Sequence, residues 1–137
     1  MKRLLLALAL SLVLAGCGQV PSSAEDFQGA EREVAQKLEE LQEAGQGRQP
    51  EDICSNILSR AVVDELEAAR TDCVAEMRKA IEDVDEHDLE VREVQIQGTR
   101  ATATVRQGTE GPTTRVELVR EGDEWRVASL GGAAGAS

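Results

Sequence analysis

The groups in this 137-residue chain that could do chemistry are three cysteines, one histidine and an excess of carboxylates over bases. Cys54 and Cys73 do not form a Cys-x-x-Cys motif, and His87 is distant from both in sequence, which argues against a redox or zinc pair. His87 lies within Asp85-Glu86-His87-Asp88, where neighbouring acids favour its protonated form. As a metal ligand it would be the only nitrogen donor and would need several placed carboxylates. The stretch from Asp83 to Glu90 carries the oxygen ligands that Ca²⁺ prefers, but lacks the Asp-x-Asp-x-Asp-Gly loop and closing glutamate of an EF-hand. Acid runs at helix ends are ordinarily hydrated surface, so neither a metal nor a cofactor is expected. Ser22, Ser23, Ser55 and Ser59 are nucleophiles by residue type alone, since none sits in a Gly-x-Ser-x-Gly turn. Gly45-Gln46-Gly47 and Gly131-Gly132 lack the lysine and the strand-to-helix setting of a phosphate loop. An enzyme, expected here to be absent, would need Asp64, Asp72 or Glu90 to point inward as an acid.

Cys17 is different in kind. It follows Lys2-Arg3, an apolar run from Leu4 to Leu14, and the small residues Ala15-Gly16. That order is a secretory signal, and the run falls short of the roughly 20 residues that a bilayer-spanning helix needs. Leu14-Ala15-Gly16-Cys17 resembles the lipobox of bacterial lipoproteins. The resemblance implies a signal peptide over 1–16, a lipid on the Cys17 thiol, and a lipidated N-terminus and tether over 17–23. It places the protein on the extracytoplasmic face of the cell membrane. With Cys17 committed to lipid, Cys54 and Cys73 remain as an even pair in an oxidising compartment, and a disulfide is expected. Closing a loop of about 20 residues stabilises by about 3 kcal/mol. Losing residues 1–16 removes Lys2 and Arg3 and moves the formal charge from −11 to −13. So acidic a chain is not expected to bind nucleic acid, and anionic lipid headgroups repel it, so adhesion must come from acyl chains.

The positioning elements follow from periodicity. After the tether, Ser22 and Glu25 form a capping-box pattern, and Phe27, Val34, Leu38 and Leu41 recur at helical spacing until Gly45 and Gly47. Pro50-Glu51-Asp52 starts a second helix that carries Ile53, Ile57, Leu58 and Ala61, with a bend near Ser59. Thr71-Asp72 starts a third, with Cys73, Met77, Ala80 and Val84 along one stripe. The period then falls to two. Four strands follow around Val91–Ile96, Ala101–Val105, Val116–Leu118 and Trp125–Val127, with Arg92-Glu93 breaking the alternation. Gly98-Thr99 and Glu121-Gly122-Asp123-Glu124 mark turns, and Gly108 to Pro112 a longer one. Helices first and strands afterwards make an α+β domain over 24–130, with about three helices on one face of a four-stranded antiparallel sheet. The other face, rich in Thr, Arg and Glu, stays wet, and Arg115, Arg120 and Arg126 are expected there as a basic stripe. Residues 131–137 read as a small-residue tail.

Lipobox, helix, cysteine-paired helical segment and a meander ending Glu124-Trp125-Arg126-Val127-Ala128-Ser129-Leu130 resemble the NTF2-like lipoproteins and small exported proteins of actinobacteria. The resemblance implies a cone, a curved sheet wrapped around helices with a cavity between them. Trp125, Val105 and Leu118 are the candidate lining of that cavity. Enzymatic members of the group place Asp, His or Tyr inside the cone, whereas the inward strand positions here, Ala101 to Val127, carry no proton donor or acceptor. The expectation is a non-catalytic, lipid-anchored envelope protein that binds a partner protein or a small apolar ligand, as a monomer or a homodimer. The alternative is a small NTF2-like isomerase or hydrolase with an acid inside the cone.

Overall fold

The computed structural model describes residues 23–85, 88–108 and 110–129. Cys17, His87, the signal and tether residues 1–22 and the tail 130–137 lie outside them. The described chain is α+β. Four helices, α1 (Gly29–Gln46), α2 (Pro50–Asp52), α3 (Arg60–Ala68) and α4 (Cys73–Asp83), precede β1 (Leu89–Gln97), β2 (Arg100–Gln107), β3 (Thr113–Glu121) and β4 (Glu124–Ser129). The strands form one antiparallel sheet in the order β1-β2-β3-β4, the meander that period-two spacing predicts. Helices and sheet share one core of small aliphatic residues, with Trp125 its only buried aromatic.

Inward positions pair across the sheet, Val91 with Val105, Ala103 with Val116, and Leu118 with Val127. An extra residue, Arg92, separates Val91 from Glu93 on β1, which is the β-bulge behind the broken alternation there. Ala128 is the corresponding extra residue on β4. The β1–β2 and β3–β4 loops have two residues each, and Gly98 (φ 61°) and Gly122 (φ 62°) take the positive φ that such loops need at their first position.

The helical half departs from the periodic reading. α1 begins at Gly29 rather than at the Ser22–Glu25 pattern, and Ser23–Asp26 forms a 3₁₀ turn instead. That turn folds back on α1, where the Ala24 N–H donates to Glu39 Oε1 (2.9 Å). The expected second helix is two. α2 runs into a π turn (Ile53–Ile57), after which Leu58 and Ser59 are extended. There the chain pairs with β4. The Ser59 N–H donates to the Val127 carbonyl (2.8 Å), and Leu58 bridges Val127 in parallel. A long-range sheet bond has displaced local helix propensity. Ser59 then caps α3, its hydroxyl accepting from the Val62 N–H, and Asp72 caps α4 by accepting from the Ala75 N–H.

α1 and α3 both end on an arginine where glycine is usual. α1 ends with the Arg48 N–H bonded to the Gly45 carbonyl and the Gln49 N–H to Ala44, and α3 repeats the pattern with Arg70 to Glu67 and Thr71 to Leu66. These are Schellman ends, and their left-handed residues are Arg48 (φ 54°) and Arg70 (φ 58°). α1 does end between Gly45 and Gly47, as expected, but Gly45 is buried within the helix and Gly47 has an ordinary negative φ. A side chain in the left-handed region costs roughly 1–2 kcal/mol, and glycine returns roughly 0.4–1 of that through unfolded-chain entropy. Arg70→Gly is therefore expected to stabilise the fold by about 0.5–1 kcal/mol, read as a raised urea midpoint at unchanged slope.

Candidate functional site

The C-terminal halves of α1 and α4 stand apart over one end of the sheet. Leu41 and Gly45 of α1, Ile53 of the π turn, and Met77, Ile81 and Val84 of α4 face Val105 and Val116 across a cleft of about 270 Å³. Leu89, Gln107 and Thr114 close the sheet end, and Gln42 is the polar group from α1. Ile53, Ile81, Val105 and Val116 form the buried floor, while Met77, Val84, Leu89 and Thr114 are half-buried and Ala80 is exposed. The cleft is thus apolar and open along one side.

Its walls are fixed by hydrogen bonds rather than by packing across it. Gln42 Oε1 accepts from the Leu89 N–H (2.7 Å), tying α1 to the start of β1. Gln46 Nε2 donates to Asp88 Oδ1 (2.9 Å), and the Asp88 carbonyl accepts from the Gly108 N–H (2.8 Å), which ties the chain before β1 to the β2–β3 turn. At its other end α4 is held by the Cys54–Cys73 disulfide (S–S 2.08 Å, Cα–Cα 6.2 Å) and by Arg78 beside Glu51 of α2 (3.7 Å). The pair that the cysteine count isolates therefore positions one wall of the cleft.

Of the three expected cavity residues, Val105 lines this cleft and the other two do not. Leu118 and Trp125 are 1 % and 2 % exposed, packed in the core toward the opposite end of the sheet, where α1 and the π turn cover β4. Leu118 also borders a polar depression of about 220 Å³ among Gln95, Arg100, Thr102 and Glu117 on the wet face. The residues that reading by strand periodicity misses come from α1 and α4. The signal for them is the stripe Met77-Ala80-Val84 with Ile81 beside it, which points inward but is longer than the sheet end that could bury it.

The three acids that could serve a cone-internal reaction lie elsewhere. Asp64 is exposed on α3, Asp72 is spent as the α4 cap, and Glu90 pairs with arginines on the wet face of the sheet. Among the described residues no group of three His, Cys, Asp and Glu side chains is placed to hold a metal ion. The basic stripe is corrected too. Arg120 shares the parity of Val116 and Leu118, not that of Arg115, so it lies on the helix side. There its guanidinium stands 5.7 Å from the Trp125 ring centroid and 3.9 Å from Glu33 of α1. Arg126 reaches the Ser55 carbonyl (3.0 Å) and Glu124 (2.9 Å), leaving Arg115 without the expected row.

Glu90 faces Arg106 directly across the β1–β2 ladder, and Arg92 in the bulge reaches its other oxygen (2.8 Å). Burial pushes its carboxyl up, but the hydrogen bonds from Arg106 and Arg92 and their charges outweigh this and hold it below the ordinary glutamate value. A lowered folded pKa gives stabilisation that is complete above the unfolded value, about 4.3, and lost as pH falls through the folded one. Thermal melts should accordingly show Glu90→Gln less stable than the parent at neutral pH, with the gap narrowing as pH falls below about 4.3.

Among the described residues no helix is long and apolar enough to cross a membrane. A comparison of the chain with family models and with curated proteins finds no match, so the cleft and its supporting bonds are the evidence on which a function must rest.

Proposed function

We propose that this chain is a lipid-anchored cell-envelope protein whose NTF2-like domain binds a partner protein or a small apolar ligand and catalyses no reaction of its own. The open apolar cleft between α1, α4 and the sheet carries the reading. Sites of this kind hold a ligand by apolar contact and orient it through a few polar groups, the part available here to Gln42, Gln107 and Thr114. The order of elements, helices first and then a meander bent by bulges at Arg92 and Ala128, supports the cone-like fold. The lipid on Cys17 would hold the cleft at the extracytoplasmic face of the membrane. An acidic chain, repelled by anionic headgroups, needs such an anchor to stay there.

Two measurements test the reading. Cys17→Ala is expected to release the protein from the membrane fraction or leave its leader uncut, and a fully processed, membrane-bound variant would overturn the anchor. 1-Octanol, an uncharged apolar probe, titrated against the full chain by NMR is expected to shift the methyls of Met77, Ile81, Val84 and Val105. Ala80→Trp, which places a ring in the open side, should abolish those shifts. Shifts spread over the whole protein, or unchanged by Ala80→Trp, would overturn the cleft as the binding site.

A further inference from the structure

Among the described residues, most of the charged side chains along the open side of the cleft are acids. At 3.6 residues per turn, Met77, Ala80, Ile81 and Val84 share one face of α4. Glu76 and Asp83 fall on the flank beside exposed Ala80, while Arg78 falls on the opposite flank, against Glu51 of α2. Lys79 projects from the back of the helix, three residues after Glu76 and four before Asp83. Asp85 and Asp88 follow in the connection to β1, and Glu110 stands in the β2–β3 turn at the same end of the sheet. All five carboxylates are exposed. None has an ion-pair partner among the described residues.

Size narrows the occupant. At about 270 Å³ the cleft is below the roughly 300–1,000 Å³ of sites that enclose drug-sized molecules, and it is open rather than closed. It suits one or two large apolar side chains whose backbone stays outside, as when an amphipathic helix lays its apolar face in a groove. The acid border supplies the sign of the flanking charge and disfavours an anionic lipid surface or a free fatty acid. Building on the binding role given above, we infer that the cleft takes a basic amphipathic segment of a partner protein. Leucine-like anchors would seat on Val105, Ile81 and Met77, and lysines or arginines would face Glu76, Asp83, Asp85 and Glu110.

The test uses the full chain in phosphatidylcholine nanodiscs, with empty discs as blank, and three labelled 14-residue helical peptides followed by fluorescence anisotropy. The Leu/Lys peptide is expected to bind, the Leu/Glu and Ser/Lys peptides at least tenfold more weakly. Ala80→Trp should abolish binding of the Leu/Lys peptide. Glu76→Gln/Asp83→Asn/Asp85→Asn should weaken it about tenfold and flatten its salt dependence. Equal binding of Leu/Lys and Leu/Glu, or of Leu/Lys and Ser/Lys, would overturn the proposal, as would binding that survives Ala80→Trp. If 1-octanol enters the cleft but the Leu/Lys peptide does not bind, the partner class fails and the apolar binding site stands. If neither enters, both fail.

Discussion

Trp125→Ala is expected to destabilise the fold by about 3–5 kcal/mol, a large part of the stability that a domain of this size commands. The core around it is built from Val, Ala, Leu and Ile, and the chain has one Trp, one Phe and no Tyr, so no neighbouring ring can collapse into the space. Trp125 is 2 % exposed beneath α1 and the π turn, and the Arg120 guanidinium lies over its ring. Far-UV circular dichroism against urea should show the midpoint fall, to the point of partial unfolding without denaturant. Trp125→Phe separates lost volume from lost polarity. The indole N–H it deletes is buried and has no hydrogen-bond partner, so its removal leaves nothing unpaired and offsets part of the volume lost. A loss well under half that of alanine is expected, and equal losses would mean that the ring's shape, not its bulk, holds β4 in place.

Removing the disulfide as Cys54→Ala/Cys73→Ala should cost about 3 kcal/mol, for a loop whose ends are 19 residues apart. The loss should also be uneven along the chain. The loop encloses α3, which has no fully buried residue, and Val62, Val63 and Leu66 only half-cover the core beneath. α3 is therefore held mainly at its flanks, by the Arg60 N–H donating to Glu121 (2.9 Å) and by the bridge that closes the loop around it. Hydrogen exchange should show the α3 amides opening first in the bridgeless protein, well before those of β2 and β3. Uniform acceleration across helices and strands alike would instead mean that the bridge acts only through the unfolded chain.

Most of the sheet was legible in sequence because its signals are local. The two-residue turns at Gly98 and Gly122, the alternation through Ala101, Ala103 and Val105, and even the bulge, announced by Arg92-Glu93, can each be read within a few residues. Asp72 could be read as part of a helix start for the same reason. The departures come from groups that answer to something distant. Leu58 and Ser59 leave the helix because β4 offers a ladder bond about 70 positions away. Arg48 and Arg70, rather than a glycine, take the left-handed positions because the Schellman bonds fix where each helix ends. The cleft was half legible. The inward stripe on α4 and the inward Val105 were plain, but which part of the stripe stays uncovered depends on how far α1 and α4 diverge over the sheet. Trp125, large and inward-facing, reads from sequence as core, or as cavity lining if the cone has an open mouth, and the packing of α1 and the π turn on β4 makes it core.

The single bond from Ser59 to Val127 has a consequence for how copies of this chain can meet. An antiparallel sheet that ends in a straight, bare strand invites a neighbour's strand to continue it, and the outcome is aggregation. Here one border is the six-residue β4, partly occupied by the chain's own Leu58 and Ser59, and the other is β1, kinked by Arg92. Neither border offers the long flat template that strand addition needs. Strand addition between copies of this chain is therefore disfavoured at both borders.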